Sequence, residues 1–299
     1  MREASPAPAR VSLRGEDIEL EVLPAVGARL HNLSVFGQQL LRSPADAGQH
    51  ERDPFFWGAF VMAPWCNRFA PGPLEVAGQT VDLPVNFRDG TAIHGQVYGR
   101  PWGQVGEGEF ESLGGGDGWP WPYRVALALR PGSASLTIEQ SLHNLADEPM
   151  PAGLGLHPWF LRPLELAVPA RSVYTSNADS DPLPKPVTGA HDLSRLRTMT
   201  PDLDATWTDL GDPPVEMRWP GGRLVCRLTA SSNRGNVFIT AASPSDVDAV
   251  AVEPQTHAPQ GLRRLLNGEP GALQSIEPGG NLVLTTRLSF EQRNGEIRA

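Results

Sequence analysis

Two histidines and one glutamate lie inside short apolar segments of this 299-residue chain, where polar side chains are unusual. The segments are residues 91–97 (TAIHGQV) with His94, residues 153–160 (GLGLHPWF) with His157, and residues 250–255 (VAVEPQ) with Glu253. An uncompensated polar group in apolar surroundings is costly, so such residues usually have a function. Imidazole groups and a partly buried carboxyl, whose pKa burial raises, suit proton transfer near neutral pH.

The neighbours of these residues add local signals. Gly95 follows His94 and allows the backbone to bend or to approach a ligand closely. Pro158 cannot donate to a β-ladder, which predicts that His157 lies at a strand end or edge. Each residue also has a plain structural interpretation: His94 as a core histidine bound to a backbone carbonyl, and Glu253 as an edge glutamate that points to water.

Other side chains could bind a small polar ligand. Arg68, in residues 64–72 (PWCNRFAPG), offers a planar fork of five donors that can hold adjacent hydroxyls or a carboxylate. Asp204 stands close to an aromatic residue in residues 202–207 (DLDATW), a common pairing for hydroxyl recognition. Trp159 presents a flat apolar face that suits the C–H face of a sugar ring as well as a core.

The elements that must position these residues are β-strands. Alternation of apolar and polar residues predicts strands with one wet face in residues 17–22, 123–129, 135–140 and 281–288. Turn residues cluster in residues 114–118, 130–132 and 219–222. No capped helical pattern extends beyond about ten residues. A chain of this length with so many strands predicts an all-β fold, a large antiparallel β-sandwich with few short helices.

Composition agrees with one globular body. The hydrophobic content is 40%, and 31 glycines with 30 prolines make up about a fifth of the chain, which is high for a helical protein. We expect a disordered tail in residues 1–10 and a single domain in residues 11–299. Residues 176–214 are the most loop-like internal region, although they contain Trp207 and end close to another strand.

Charge and cysteine content exclude several classes of partner. The formal net charge of −9 and the absence of a Lys/Arg cluster argue against nucleic acid. The two cysteines are 160 positions apart and form no metal or redox motif, which fits a reducing compartment. Neither a signal peptide nor an 18-residue apolar stretch is visible, so the sequence predicts a soluble cytoplasmic protein without membrane contacts.

The order of these motifs along the chain resembles the aldose 1-epimerase (galactose mutarotase) family. The motifs that carry the resemblance are residues 27–30 (GARL), 64–68 (PWCNR), 93–95 (IHG), 101–102 (PW), 157–160 (HPWF), 203–207 (LDATW) and 253–255 (EPQ). The ordered set is far more specific than any one motif. The resemblance implies a β-supersandwich and an enzyme without a cofactor that interconverts the α and β anomers of a free aldose of the glucose or galactose type.

The resemblance also implies roles for individual residues. Glu253 resembles the general base that takes the proton from the C1 hydroxyl, and His157 resembles the acid that protonates the ring oxygen. His94 resembles the second histidine, which binds and polarises that oxygen. The residues that it marks as substrate-binding are Arg68, Asn67, Asp204 and Trp159.

Alternatives stay open at the level of sequence. An epimerase for a hexose 6-phosphate would need a further cationic pocket, for which Arg29, Arg88 or Arg100 could serve. A non-catalytic sugar-binding or regulatory module could keep the same fold. Two imidazoles and one carboxylate also suit zinc or iron, although no short ligand spacing is present.

The apolar residues 55–57 (FFW) could be core, pocket wall or interface, and nothing local decides among the three. The chain is expected to be a monomer or a homodimer.

Overall fold

The computed structural model of the chain describes residues 9–175 and 183–293. The strands of these residues are, in chain order, β1 Val11–Arg14, β2 Ile18–Leu23, β3 Arg29–Val35, β4 Gln38–Gln39, β5 Ala59–Met62, β6 Arg68–Phe69, β7 Leu74–Val76, β8 Gln79–Val81, β9 Ala92–Ile93, β10 Gly103–Gly106, β11 Glu109–Gly116, β12 Trp119–Pro131, β13 Ser135–Asn144, β14 Met150–Ala152, β15 Gly155–Leu161, β16 Glu165–Ala167, β17 Ala170–Tyr174, β18 Lys185–Pro186, β19 Asp204–Leu210, β20 Val215–Trp219, β21 Leu224–Ser232, β22 Phe238–Ala242, β23 Ala249–Gln255, β24 Gln274–Ile276 and β25 Asn281–Gln292. The helices are α1 Gln49–Arg52, α2 Gly261–Asn267 and the 3₁₀ turns Pro24–Val26, Gly189–His191 and Pro220–Gly222.

Two large antiparallel sheets form the body of the molecule. One has the order β1-β2-β3-β5-β15-β23-β22-β19-β17-β18, with β4 beside β3, and the other has the order β10-β11-β12-β13-β25-β21-β20-β16. Their facing side chains form one continuous apolar core, which includes Val61 and Val252 from the first sheet and Leu127 and Leu284 from the second. The predicted antiparallel β-sandwich with few short helices is therefore confirmed.

Buried and more exposed residues alternate along the strands with the predicted period of two. In β12, Val125, Leu127 and Leu129 are buried, while the residues between them are more exposed. Burial of each such side chain contributes about 1.5–3 kcal/mol relative to its exposure. The same alternation in β13 and β25 confirms the strands predicted there.

The region that the sequence suggested to be loop-like is only partly irregular. Its residues 176–182 lie outside the described residues, but β18 and β19 follow, and Trp207 of β19 is fully buried. Four consecutive residues of β19, 205–208, are buried, so this strand has no alternation by which the sequence could reveal it. The loop interpretation is wrong for β19.

Most of the predicted tail lies outside the described residues. Residues 1–8 lie outside the described residues, and the division into a tail and one domain stays a prediction. Neither α-helix in the described part of the chain has the length and apolar character needed to span a membrane.

Five adjacent strands of the larger sheet position the candidate site: β5, β15, β23, β22 and β19. Alternate residues of β23, such as Val250 and Val252, face the sandwich core, whereas Ala249 and Ala251 belong to a separate apolar cluster on the opposite side of the sheet. Phe60 of β5 and Trp159 of β15 also lie on that opposite side. We call this side, formed by the five strands, the site face.

Gly95 illustrates how tightly the loops pack onto these strands. It has φ +75°, and a Cβ at this position would lie 2.0 Å from the carbonyl oxygen of Ala63. The glycine expected to allow a bend or a ligand contact therefore allows close contact with a neighbouring backbone. We expect Gly95→Ala to lower the free energy of unfolding by about 3 kcal/mol, because strain and steric overlap add. Urea denaturation checks this, with Gly90→Ala, also at positive φ but with open space around it, as the control.

Candidate active site

A cavity of about 360 Å³ lies over the site face. All seven residues that the sequence predicted for the site line it: Asn67, Arg68, His94, His157, Trp159, Asp204 and Glu253. These residues are up to 186 positions apart in the chain, so only the tertiary structure brings them together.

The strand register places His157 opposite Glu253. Strands β15 and β23 pair Gly155 with Gln255 and Trp159 with Ala251, and the position midway between these pairs joins His157 to Glu253. Their side chains meet, with His157 Nε2 3.3 Å from Glu253 Oε1. Exposure is 4% for His157 and 2% for Glu253, so the contact is almost fully removed from solvent.

The expected position of His157 at a strand end or edge is wrong. Its strand β15 lies between β5 and β23, and His157 itself pairs with Phe60 of β5. Pro158 is tolerated there because the β15–β23 pairing has a gap at residues 156–158. The interpretation of Glu253 as an edge residue fails for the same reason, since β23 is also an inner strand.

Burial controls the protonation of this pair. Desolvation raises the pKa of Glu253 well above its usual value, and the nearby Asp204 carboxylate adds to the rise. Desolvation also lowers the pKa of His157 to about 3. Both effects favour neutral groups, so we place the shared proton on the carboxyl. Glu253 Oε2 and His157 Nδ1 are buried without a hydrogen-bond partner in the described structure.

His94 enters the cavity from a short two-stranded ribbon formed by β6 and β9. Arg68 pairs with Ile93 in this ribbon, and the His94 N–H donates to the carbonyl of Asn67. His94 and Asn67 both have positive φ, 61° and 59°, a strained conformation that is often found at functional sites. The His94 ring stands perpendicular to that of His157, with 4.9 Å between centroids. Desolvation, followed by the effect of His157, lowers the pKa of His94 well below its usual value.

Arg68 lies between two acids at the side of the cavity. Its Nε donates to Asp89 Oδ2 at 2.7 Å, and its NH1 lies 3.6 Å from Asp204 Oδ2. Burial raises the pKa of Asp204 to about 6, and Arg68 opposes this rise. Asn67 is buried beside Arg68, and its amide donates to Gln255 Oε1 at 2.9 Å. These residues supply the cavity with hydrogen-bonding groups.

Aromatic side chains also line the cavity. Trp159 packs against Phe56 with 5.7 Å between ring centroids, and its Nε1 donates to the carbonyl of Phe55 at 2.6 Å. Phe55, Phe56 and Phe87 line the same cavity. The apolar residues 55–57 are therefore partly pocket wall. Trp57 is the exception, because it lies under the Arg42 guanidinium, which is 3.4 Å from its ring centroid.

Comparison with known proteins identifies the family of this chain. Residues 10–278 match the profile of the family described as aldose 1-epimerase. The chain belongs to this family. It is 28% identical over 187 residues to YihR, an uncharacterised protein of Escherichia coli K12, and the match spans 58% of the length of each.

Solved structures of this family share the fold. A galactose mutarotase-like protein from Clostridium acetobutylicum superposes with a TM-score of 0.79 at 16% identity, over 95% of each chain. The galactose 1-epimerase from Lactobacillus acidophilus gives a TM-score of 0.72 at 14% identity, over 98% of this chain and 97% of that one. At such identities the likeness establishes the fold alone.

The sequence did not predict several residues that line the cavity of this aldose 1-epimerase family member. They are Phe87, Asp89, Asp202, Ser243 and Pro244. Most lie in loops without apolar periodicity, where an acid or a serine is ordinarily solvated. Asp89, in the turn Arg88-Asp89-Gly90, carries no local signal that distinguishes it from other turn residues.

The arginines considered for a phosphate pocket lie in different places. Arg29 is fully buried and donates to the carbonyls of Trp57 and Tyr98, and burial lowers its pKa to about 9. Arg100 pairs with Asp117 at 2.9 Å. Of the three, Arg88 alone lines the cavity. Across the described residues, no group of three His, Cys, Asp or Glu side chains has an arrangement that could hold a metal ion.

Proposed function

We propose that this chain is an aldose 1-epimerase that interconverts the α and β anomers of a free aldose. The observation that carries the proposal is the buried His157–Glu253 contact of 3.3 Å in a cavity lined by both hydrogen-bonding and aromatic side chains. Ring opening needs a proton removed from the C1 hydroxyl and another delivered to the ring oxygen. Both oxygens are bonded to C1, so two adjacent groups suit this reaction.

The protonation of the pair matches the reaction. Carboxyl and neutral imidazole together hold the same number of protons as carboxylate and imidazolium, so one transfer from Glu253 to His157 prepares a base and an acid. Sugar hydroxyls that enter the site stabilise the charged form, because they replace apolar surroundings with hydrogen bonds. Glu253 then takes the C1 hydroxyl proton, His157 protonates the ring oxygen, and the opened sugar recloses with the roles reversed.

His94 supports the same oxygen. Because its pKa lies well below the usual value, its ring stays neutral and can donate one N–H without carrying a charge. A neutral donor polarises the ring oxygen and leaves His157 as the proton source, since two imidazolium groups with 4.9 Å between their centroids would repel each other.

The remaining cavity residues suit sugar binding. Arg68, Asn67 and Asp204 offer donors and acceptors to ring hydroxyls, and Trp159 offers a flat face to the C–H side of the ring. This mixture of groups suits a pyranose, which presents polar hydroxyls and apolar C–H groups.

The choice between free and phosphorylated sugar has a direct test. Exchange between the anomeric proton signals of glucose, galactose and glucose 6-phosphate is measured by NMR with the same protein sample. We expect the free sugars to exchange faster, because two of the three arginines considered for a phosphate pocket, Arg29 and Arg100, do not line the cavity. Much faster exchange of glucose 6-phosphate would overturn the free-sugar assignment. Sugar binding without any exchange would support a binding module instead.

Arg68→Lys tests the binding role of the guanidinium. Lysine keeps the charge but loses the planar fork that contacts Asp89 and reaches Asp204. We expect KM to rise about tenfold, equivalent to about 1.4 kcal/mol of binding, with a smaller change in kcat. Steady-state anomer exchange measures both constants. Arg124→Lys, on the surface beside Glu111, is the matched control; an unchanged KM for Arg68→Lys would contradict the assignment.

A further inference from the structure

The segment that follows β23 makes contacts that the proposed chemistry does not use. His257 is fully buried outside the cavity, and its Nε2 lies 2.9 Å from the backbone nitrogen of Cys66. Its Nδ1 lies 2.7 Å from the carbonyl oxygen of Ala258. A backbone N–H can only donate, so Nε2 accepts and Nδ1 carries the proton. This histidine is therefore a neutral bridge with one defined tautomer.

The imidazole of His257 occupies a narrow slot. A Cβ on Gly153 would lie 2.3 Å from its Cδ2, and a Cβ on Gly261 would lie 2.5 Å from its Nδ1. Burial lowers its pKa to about 4, which keeps it neutral, and therefore able to accept, at ordinary pH. Gly153 and Gly261 thus hold the His257 ring in place, and the Nε2 of this ring holds the backbone N–H of Cys66 by a hydrogen bond.

A second contact joins the end of β23 to residues 66–67, the segment that His257 also contacts. Gln255 Oε1 accepts from the Asn67 amide at 2.9 Å, and Gln255 Nε2 donates to Thr240 Oγ1. Thr240 in turn bonds to Thr206 at 2.6 Å, and it pairs with Glu253 across β22 and β23. The Asn67 side chain is thereby tied to the strands that carry the Glu253 carboxyl.

These contacts support the β6–β9 ribbon. Cys66 and Asn67 lead directly into Arg68 of β6, and the Asn67 carbonyl accepts from His94. Both Asn67 and His94 hold strained positive φ values, which persist only where the surroundings fix them. The ribbon and the residues beside it thus carry four cavity residues, Asn67, Arg68, Ile93 and His94, on a backbone that needs external support.

We infer that His257 and Gln255 are positioning residues that fix the β6–β9 ribbon relative to Glu253. Neither side chain is among the residues that line the cavity, so both act through Asn67, Arg68 and His94. The inference rests on the proposed function for its kinetic consequence, but its structural consequence is independent of any activity.

His257→Leu removes the acceptor, and His257→Gln restores an acceptor of similar reach. We expect His257→Leu to lower kcat/KM roughly 10- to 100-fold, with kcat falling and KM rising, because a small displacement of positioned groups has effects of that size. His257→Gln is expected to recover most of both constants. Gln255→Met, which removes the second contact, is expected to act in the same direction as His257→Leu.

The control is Asn144→Leu, which removes a buried amide bonded to the carbonyls of Glu148 and Ile276, away from the cavity. It is expected to reduce thermal stability without changing kcat or KM. Wild-type constants in folded His257→Leu would overturn the inference. So would His257→Gln constants no better than those of His257→Leu, because the role would then be packing alone.

Hydrogen–deuterium exchange separates this inference from the proposed function. In His257→Leu, amides of residues 66–69 and 92–94 should exchange faster than in the wild type, whereas Asn144→Leu should leave them unchanged. Unchanged exchange of these residues in His257→Leu would overturn the positioning role. An inactive wild type would refute the proposed function, and the exchange result would still decide the positioning role.

Discussion

Glu253→Gln should abolish most anomer exchange while leaving the fold intact. Glutamine keeps the size and one acceptor of the side chain but cannot take a proton from the C1 hydroxyl. Loss of a general base typically costs roughly 10²- to 10⁴-fold in kcat. Proton NMR exchange with galactose measures the effect, and circular dichroism confirms the fold. Retention of wild-type kcat would remove Glu253 from the catalytic step.

The stability of the same variant relative to the wild type should rise with pH. Burial raises the pKa of Glu253 above its usual 4.5. Below that value the carboxyl is protonated in both the folded and the unfolded states, and it carries no ionisation penalty. As pH rises above 4.5, the unfolded chain releases this proton more readily, so the free energy of unfolding falls. Glutamine does not titrate and avoids this loss.

Urea denaturation of both proteins at several pH values tests this sign. The stability gain of Glu253→Gln over the wild type should increase between pH 5 and pH 8. Thr286→Val, at a buried polar position in β25 outside the cavity, is the control and should show no such trend. A stability difference that shrinks with rising pH would contradict the raised pKa.

His157→Phe should lower the rate of anomer exchange about as strongly as Glu253→Gln does. Phenylalanine keeps the stacking on Phe60, where the present ring centroids are 4.6 Å apart, but has no nitrogen to exchange protons. We expect a kcat loss of roughly 10²- to 10⁴-fold. The double variant with Glu253→Gln should be little worse than either single variant, because the two groups act as one unit. Independent, multiplying effects would contradict the shared-proton mechanism.

The stability effect of His157→Phe should have the opposite pH dependence. Burial lowers the pKa of His157 from 6.5 to about 3, so the unfolded chain binds a proton more readily between these values. Wild-type stability therefore falls as the pH drops below 6.5, and phenylalanine avoids this loss. The gain from His157→Phe should appear at acid pH, and the gain from Glu253→Gln at alkaline pH. Guanidinium denaturation at pH 5 and pH 8 compares them.

Sequence predicted the strands with a wet face and seven residues that line the cavity, but not the register that joins them. His94, His157 and Glu253 were visible because a polar residue interrupts an apolar segment. That His157 faces Glu253 depends on a pairing between β15 and β23 over nearly one hundred residues, which no local pattern encodes. For the same reason, Pro158 suggested an edge where the fold has an inner strand.

Residues that act from loops or behind the cavity were the hardest to predict. Asp89 and Phe87 become recognisable only when the loop folds over Arg68. His257 and Gln255 look like ordinary buried polar residues until their partners, 191 and 188 positions away, are known. Long-range hydrogen bonds of this kind depend on tertiary structure, which single-sequence patterns do not contain.

The most direct test of the proposed chemistry is polarimetry of freshly dissolved α-D-glucose and α-D-galactose, cold and near pH 6 to slow the spontaneous reaction. We predict that the wild-type protein accelerates the approach to the equilibrium rotation with at least one of these sugars, while heat-denatured protein does not. A rate equal to that of buffer with both sugars at micromolar protein would contradict the assignment as an epimerase of free glucose- or galactose-type aldoses.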